Sequence, residues 1–169
     1  MSDIAEAGKD LFTPDAVWIS QGPQETHDLG KLLGEKLQAG DVVALSGELG
    51  AGKTCLTQGI AAGLGVPNEY PITSPTFTII NEYPGRVAMY HLDMYRLAGT
   101  GDLLEIGYES CFNEGGVVVI EWAEKVWETL PEGTLFVFIT YLDVDKRRIV
   151  ISRNRQYVDQ LMKTADGGL

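Results

Sequence analysis

A three-layer α/β domain, its mixed parallel and antiparallel sheet flanked by helices, is predicted by three observations. "DVVALS" (41–46) and "GVVVIEW" (116–122) are short, nearly continuous apolar runs, the pattern of strands buried on both faces. Around them apolar residues recur at three-to-four spacing, the period of amphipathic helices. Near the end, "TLFVFITYL" (134–142) and "RRIVISR" (147–153) read as a closing pair of strands.

In chain order, the polar segment 1–14 is expected to be mobile, a single domain spans 15–153, and 154–169 forms a C-terminal helix and tail. Ala16 to Ser20 is a short strand. "GPQETHDLGKLLGEKLQAG" follows, an amphipathic helix whose face is Leu29, Leu32, Leu33 and Leu37 and which stops at Gly40. After strand 41–46 and a glycine-rich loop, Lys53 to Leu64 reads as a helix ended by Gly65 and Pro67. "EYPITSPTF" (69–77) bears prolines and is a loop. Phe77 to Tyr83 and Val87 to Leu92 flank "PGR", which reads as a hairpin turn. "GDLLEIGYESCF" (101–112) is expected to be helical, and "QYVDQLMKTADGGL" closes the chain as a short helix with a frayed end.

With 169 residues, 44% hydrophobic and 22% charged, the chain has the composition of one soluble globular domain. No apolar run approaches the ~20 residues of a membrane span, and the start lacks the basic patch and apolar stretch of a secretory leader. Cys55 and Cys111 have no neighbours at metal-ligand spacing and read as reduced thiols of a cytoplasmic protein. A formal net charge of -11 argues against broad contact with a polyanion, since phosphate backbones are held by many Lys and Arg side chains.

The chemistry concentrates at "GELGAGKT", which matches G-x-x-x-x-G-K-[ST] at every fixed position and lies between a buried strand and a helix. That is the context of a P-loop NTPase-like fold. The glycines let backbone N–H groups converge on phosphate oxygens, and the helix N-terminus adds favourable partial charge. Glu48, Leu49, Gly50, Ala51, Gly52, Lys53, Thr54 and Cys55 are therefore the candidate nucleotide-binding stretch. Lys53 would reach the β and γ phosphates, and the Thr54 hydroxyl would complete the coordination of magnesium. The acidic partner such a site needs has two candidates, Glu121 after the apolar run 116–120 and Asp93 at the end of the hairpin strand. Thr73, Ser74 and Thr76 lie where a nucleotide-sensing hydroxyl could sit, without a role that the sequence assigns. His91 reads as a residue packed at a strand edge, and Trp18, Trp122 and Trp127 as core or interface. Arg86, Arg96, Arg147, Arg148, Arg153 and Arg155 are scattered, with no arginine-rich lid and no N-K-x-D motif for guanine.

"GELGAGKT", "SPTF", "YHLDMYR" and "IEWAEK", in this order and at these separations, resemble the TsaE family, the small ATPases of bacterial tRNA threonylcarbamoyladenosine synthesis. The resemblance runs from Thr26 to about Ile151. It implies binding of ATP and Mg2+, with Thr54 and Glu121 as metal ligands, Asp93 as the essential aspartate and Lys53 on the phosphates. It also makes Thr26 a contact near the adenine, and one of Lys146, Arg147 and Arg148 a basic neighbour of the nucleotide. Association with the threonylcarbamoyltransferase subunit and its inactive paralogue is implied as well, with hydrolysis resetting that complex and tRNA engaged only indirectly. The family often has Pro after Glu-Trp, where this chain has Ala123. Two other functions fit a P-loop: a nucleotide-gated module that does not hydrolyse, and a small-molecule kinase, disfavoured by the missing lid.

Overall fold

The computed structural model describes residues 14–75, 80–97, 102 and 107–166. Seven strands form one sheet: β1 (Ala16–Ser20), β2 (Val42–Ser46), β3 (Ile80–Tyr83), β4 (Met89–Asp93), β5 (Val117–Glu121), β6 (Leu135–Tyr141) and β7 (Arg147–Ser152). Their order across the sheet is β1-β7-β6-β2-β5-β4-β3. The inner strands β6, β2, β5 and β4 run parallel, while β1, β7 and β3 are antiparallel to their neighbours. The sheet is mixed, as the sequence predicts.

Residue parity on the inner strands builds two cores, one on each face of the sheet. Val43, Leu45, Val117 and Val119 pack with α1 (Pro23–Lys36) and α2 (Lys53–Gly63). Val42, Ala44, Val118 and Ile120 pack with the single-turn α3 (Tyr108–Cys111) and with α4 (Arg155–Asp166) through Val158 and Met162. Two 3-10 turns, Ala123–Lys125 and Trp127–Thr129, follow β5. Because β2 has parallel neighbours on both edges and a helical layer on each face, its buried residues 42–45 are all apolar.

The two helices beside β2 approach more closely than a leucine face permits. A Cβ placed on Gly30 would stand 2.4 Å from the Leu56 carbonyl oxygen, one on Gly34 2.2 Å from that of Ile60, and one on Gly59 2.1 Å from that of His27. Only hydrogen fits there. The predicted leucine face of α1 is thereby corrected: Leu29 and Leu37 are buried, but Leu32 is 51% exposed, and Gly30 and Gly34 form the contact.

Other differences have equally local causes. Strand β4 covers Met89–Asp93, so Asp93 is its last residue. Of the helix expected over 101–112, the described residues show a helical position at 102 and the turn α3; 98–101 and 103–106 lie outside them. The C-terminal helix is part of the core, since Val158 and Met162 are buried. The expected mobile segment 1–14, apart from its last residue, the start of the strand expected over 77–83, and the tail 167–169 also lie outside the described residues. Among those described, no helix is long and apolar enough to cross a membrane.

Candidate functional site

The glycine loop leaves β2 at Ser46 and enters α2 at Lys53. Gly50 and Gly52 hold φ of 77° and 114°, left-handed values that side chains rarely tolerate. Packing draws the loop in as well, because a Cβ on Gly47 would meet the Ile139 carbonyl oxygen at 2.6 Å. The Lys53 ammonium donates to the Gly47 carbonyl oxygen and, at 3.0 Å, to that of Glu48. It also stands 3.8 Å above the centre of the Trp122 ring. Lys53 is only 5% exposed, and burial lowers its pKa against the opposing pull of Glu124, Glu121 and Asp93.

Strand parity and register bring the acidic residues together. In β4 and β5, His91, Asp93 and Glu121 share the parity of Met89 and Val119, on the face toward α2. Asp93 and Glu121 are paired across the two strands. Glu121, 2% exposed, receives the Thr54 hydroxyl at 2.9 Å on Oε1 and that of Ser74 at 3.2 Å on Oε2. His91 Nε2 stands 2.6 Å from the same Oε2, and the Thr54 and Ser74 hydroxyls are 2.8 Å apart. Each hydroxyl has a single proton, so both cannot bond Glu121 and each other at once. Two of the three contacts are hydrogen bonds at any one time.

Burial pushes the Glu121 carboxyl up, but the hydrogen bond and charge of His91, with the Thr54 and Ser74 hydroxyls, outweigh it and hold the pKa below 4.5. A carboxyl depressed in the folded state stabilises the fold above its unfolded pKa, and that stabilisation is lost as pH falls through the folded value. Wild type should therefore lose stability relative to Glu121→Gln between neutrality and pH below 4.5. Urea midpoints across that range test this, and parallel curves would exclude it. Asp93 moves the other way: burial raises its pKa, the Tyr95 N–H opposes this, and Glu121 adds to it.

Lys53, Thr54, Ser74, Asp93 and Glu121 line a cavity of about 560 Å³ that also receives Tyr95, Arg96 and Trp122. A smaller cavity of about 190 Å³ adjoins the glycine loop, with Thr26, Cys55 and Arg147 in its wall. Thr26 is buried, with its hydroxyl 2.8 Å from that of Ser20. The Cys55 thiol donates to the Pro23 carbonyl oxygen. Of the three basic candidates, Arg147 is the one against the loop: its Nε donates to the Ala51 carbonyl oxygen at 2.9 Å and its guanidinium lies 4.1 Å from the Tyr141 ring centre. Lys146 is exposed, and Arg148 opens onto a different groove. Glu48 and Leu49 form the exposed outer edge of the loop.

Three expectations need correction or extension. His91 is not at an edge: β4 lies between β3 and β5, and the imidazole is fully buried against Glu121. Trp122 packs against the core and is also a wall of the site, with φ 57° directly after Glu121. Arg96 and Arg147, scattered in sequence, line two separate cavities that both border the glycine loop. Thr73 is exposed and Ser74 reaches the cluster, while Thr76 lies outside the described residues. An apolar strand ending in His-x-Asp was the signal that could have found His91, because alternation sends residues two apart to one face.

Fold and site together define an α/β protein with a glycine-loop cavity closed by paired strand-end carboxylates. The family model described as threonylcarbamoyl adenosine biosynthesis protein TsaE matches residues 20–150, and the chain belongs to that family. It is similar to the tRNA threonylcarbamoyladenosine biosynthesis protein TsaE of Treponema pallidum, at 44% identity over 79% of this chain and 98% of that one. The protein of the same name from Bacillus subtilis is 39% identical over 80% of this chain and 84% of its own length. The crystal structure of Bacillus subtilis YdiB superposes with a TM-score of 0.67 at 35% identity, covering 89% of this chain and 95% of that one.

Proposed function

We propose that this chain binds ATP with Mg2+ in the glycine-loop cavity and hydrolyses it within the cytoplasmic machinery that makes threonylcarbamoyladenosine in tRNA. Hydrolysis resets the threonylcarbamoyltransferase subunit and its inactive paralogue between rounds of modification. The single observation that carries this reading is the convergence of Lys53, Thr54 and Glu121 on one cavity behind a loop that turns through left-handed Gly50 and Gly52. The donor set fits the group: the loop 48–54 would offer backbone N–H groups other than that of Ala51, which donates to the Glu48 carbonyl oxygen, and Lys53 would exchange the Gly47 and Glu48 carbonyls for phosphate oxygens. Thr54 and Glu121 would hold the metal, and Thr26, Cys55 and Arg147, which line the smaller cavity, would lie toward the adenine. When bound, magnesium neutralises phosphate charge and so lowers the barrier to displacement. Asp93 accepts the proton of the attacking water, and Trp122 shields Lys53 from solvent. The acidity of the chain suits action on a protein complex, with tRNA engaged through it.

Steady-state phosphate release with and without the transferase pair tests the reading. Marked stimulation by the pair is expected, and Lys53→Ala should weaken ATP binding at least about tenfold while the domain stays folded. An unchanged affinity by calorimetry would remove the phosphate-loop assignment. The second reading, a nucleotide-gated module without turnover, is favoured by Ser74, which touches both Thr54 and Glu121 and so ties loop 71–75 to the occupant of the site. Binding without multiple turnovers would select it.

A further inference from the structure

The turn after β4 presents a cation to the mouth of the main cavity. Arg96 lies three residues beyond Asp93 and lines the same space as Lys53, Thr54, Asp93 and Glu121. The residues on either side of it are tied down. Met94 N–H donates to the Glu121 carbonyl oxygen at 3.1 Å, Leu97 N–H to that of Met94 at 3.1 Å, and Tyr95 N–H to Asp93 Oδ1 at 2.8 Å. The Lys125 ammonium donates to the carbonyl oxygens of Tyr95 and Leu97, the two residues that flank Arg96. The Tyr95 ring rests on Trp122 with centroids 4.9 Å apart. The anchor point is thus fixed while the Arg96 side chain is exposed, and among the described residues it makes no ion pair or hydrogen bond. Lys53, the other cation of the cavity, is occupied with the loop carbonyls at its floor.

We propose that Arg96 is a catalytic residue of this site, an arginine supplied in cis that contacts the terminal phosphoryl group of the bound nucleoside triphosphate. This rests on the ATPase reading above. In the step it serves, the water oxygen bonds to the γ-phosphorus as the bond from that phosphorus to the β,γ-bridging oxygen breaks. The electron pair leaves with the diphosphate, and the water's proton passes to Asp93 and then to solvent. Negative charge builds on the oxygens of the phosphoryl group, and a planar guanidinium can bond two of them at once. In the free chain Arg96 is solvated, so its field is screened; a partner covering the mouth excludes water and strengthens it. Stimulation by a partner therefore needs no arginine from the partner.

The test uses the full chain, Arg96→Ala and Arg96→Lys, each with the transferase pair present so that the mouth is covered, with Mg–ADP alone and Mg–ADP plus aluminium fluoride, a mimic of the phosphoryl group in flight, as probes. Wild type should bind ADP at least about a hundredfold tighter with the fluoride present. Both variants should bind ADP within about threefold of wild type, and Arg96→Ala should lose the fluoride enhancement. Arg96→Lys should recover little of it, since a point charge cannot fork. With the transferase pair present, phosphate release by Arg96→Ala should fall about a thousandfold. If Arg96→Ala keeps both the enhancement and a rate within about threefold of wild type, the assignment of Arg96 is overturned while the ATPase reading stands. If wild type fails to bind either probe, the ATPase reading fails and takes this inference with it.

Discussion

Asp93→Ala should lose partner-stimulated hydrolysis by about 10² to 10⁴-fold, the range for removing a positioned general base, while ATP affinity changes only a few-fold. The carboxyl ends β4 inside the cavity, beside Glu121 in register but outside the Glu121–Thr54–Ser74 cluster. Burial raises its pKa, so it takes a proton more readily than a surface aspartate. It also caps the Tyr95 N–H and so steadies the turn that carries Arg96. Asp93→Asn separates the two roles, because the amide oxygen keeps the cap but cannot accept the proton. Steady-state phosphate release by Asp93→Asn at the wild-type stimulated rate would show that the cap alone matters and would remove the base assignment.

A comparably large effect is expected far from the chemistry. Gly59→Val should destabilise the domain by at least about 3 kcal/mol, the upper range for overpacking, because its Cβ would stand 2.1 Å from the His27 carbonyl oxygen and 2.9 Å from Gly30 Cα. The obstacle is backbone on both sides, so no side-chain rotation relieves it. Nucleotide affinity should fall as well, since α2 carries Lys53 and Thr54 at its start and α1 carries Thr26. Urea unfolding checks the stability. A loss below about 1 kcal/mol would mean that the helices separate at little cost, contrary to their close packing.

Legibility followed distance along the chain. The glycine loop was readable because its eight residues are contiguous, and the strand-end positions of Asp93 and Glu121 because an apolar run ends at each. The helix contact was half readable. Gly30 and Gly34, like Gly59 and Gly63, are four residues apart and so lie on one helical face, yet three-to-four spacing of the neighbouring leucines carries the same signal. Spacing alone cannot say which of two adjacent stripes is pressed against a partner, and the exposed Leu32 marks the one that is not.

By itself, then, the sequence determined most of the elements, the glycine-loop motif and the face each strand residue takes, since these depend on covalent geometry and local periodicity. Only the tertiary structure decided which distant side chains meet. His91, Thr54 and Ser74 reach Glu121 across separations of 30, 67 and 47 residues, and Arg147 reaches Ala51 across 96. Sheet order and strand register set those meetings. Both arise from burying the two faces of β2 and its neighbours together, a property of the whole packed chain that no local stretch encodes.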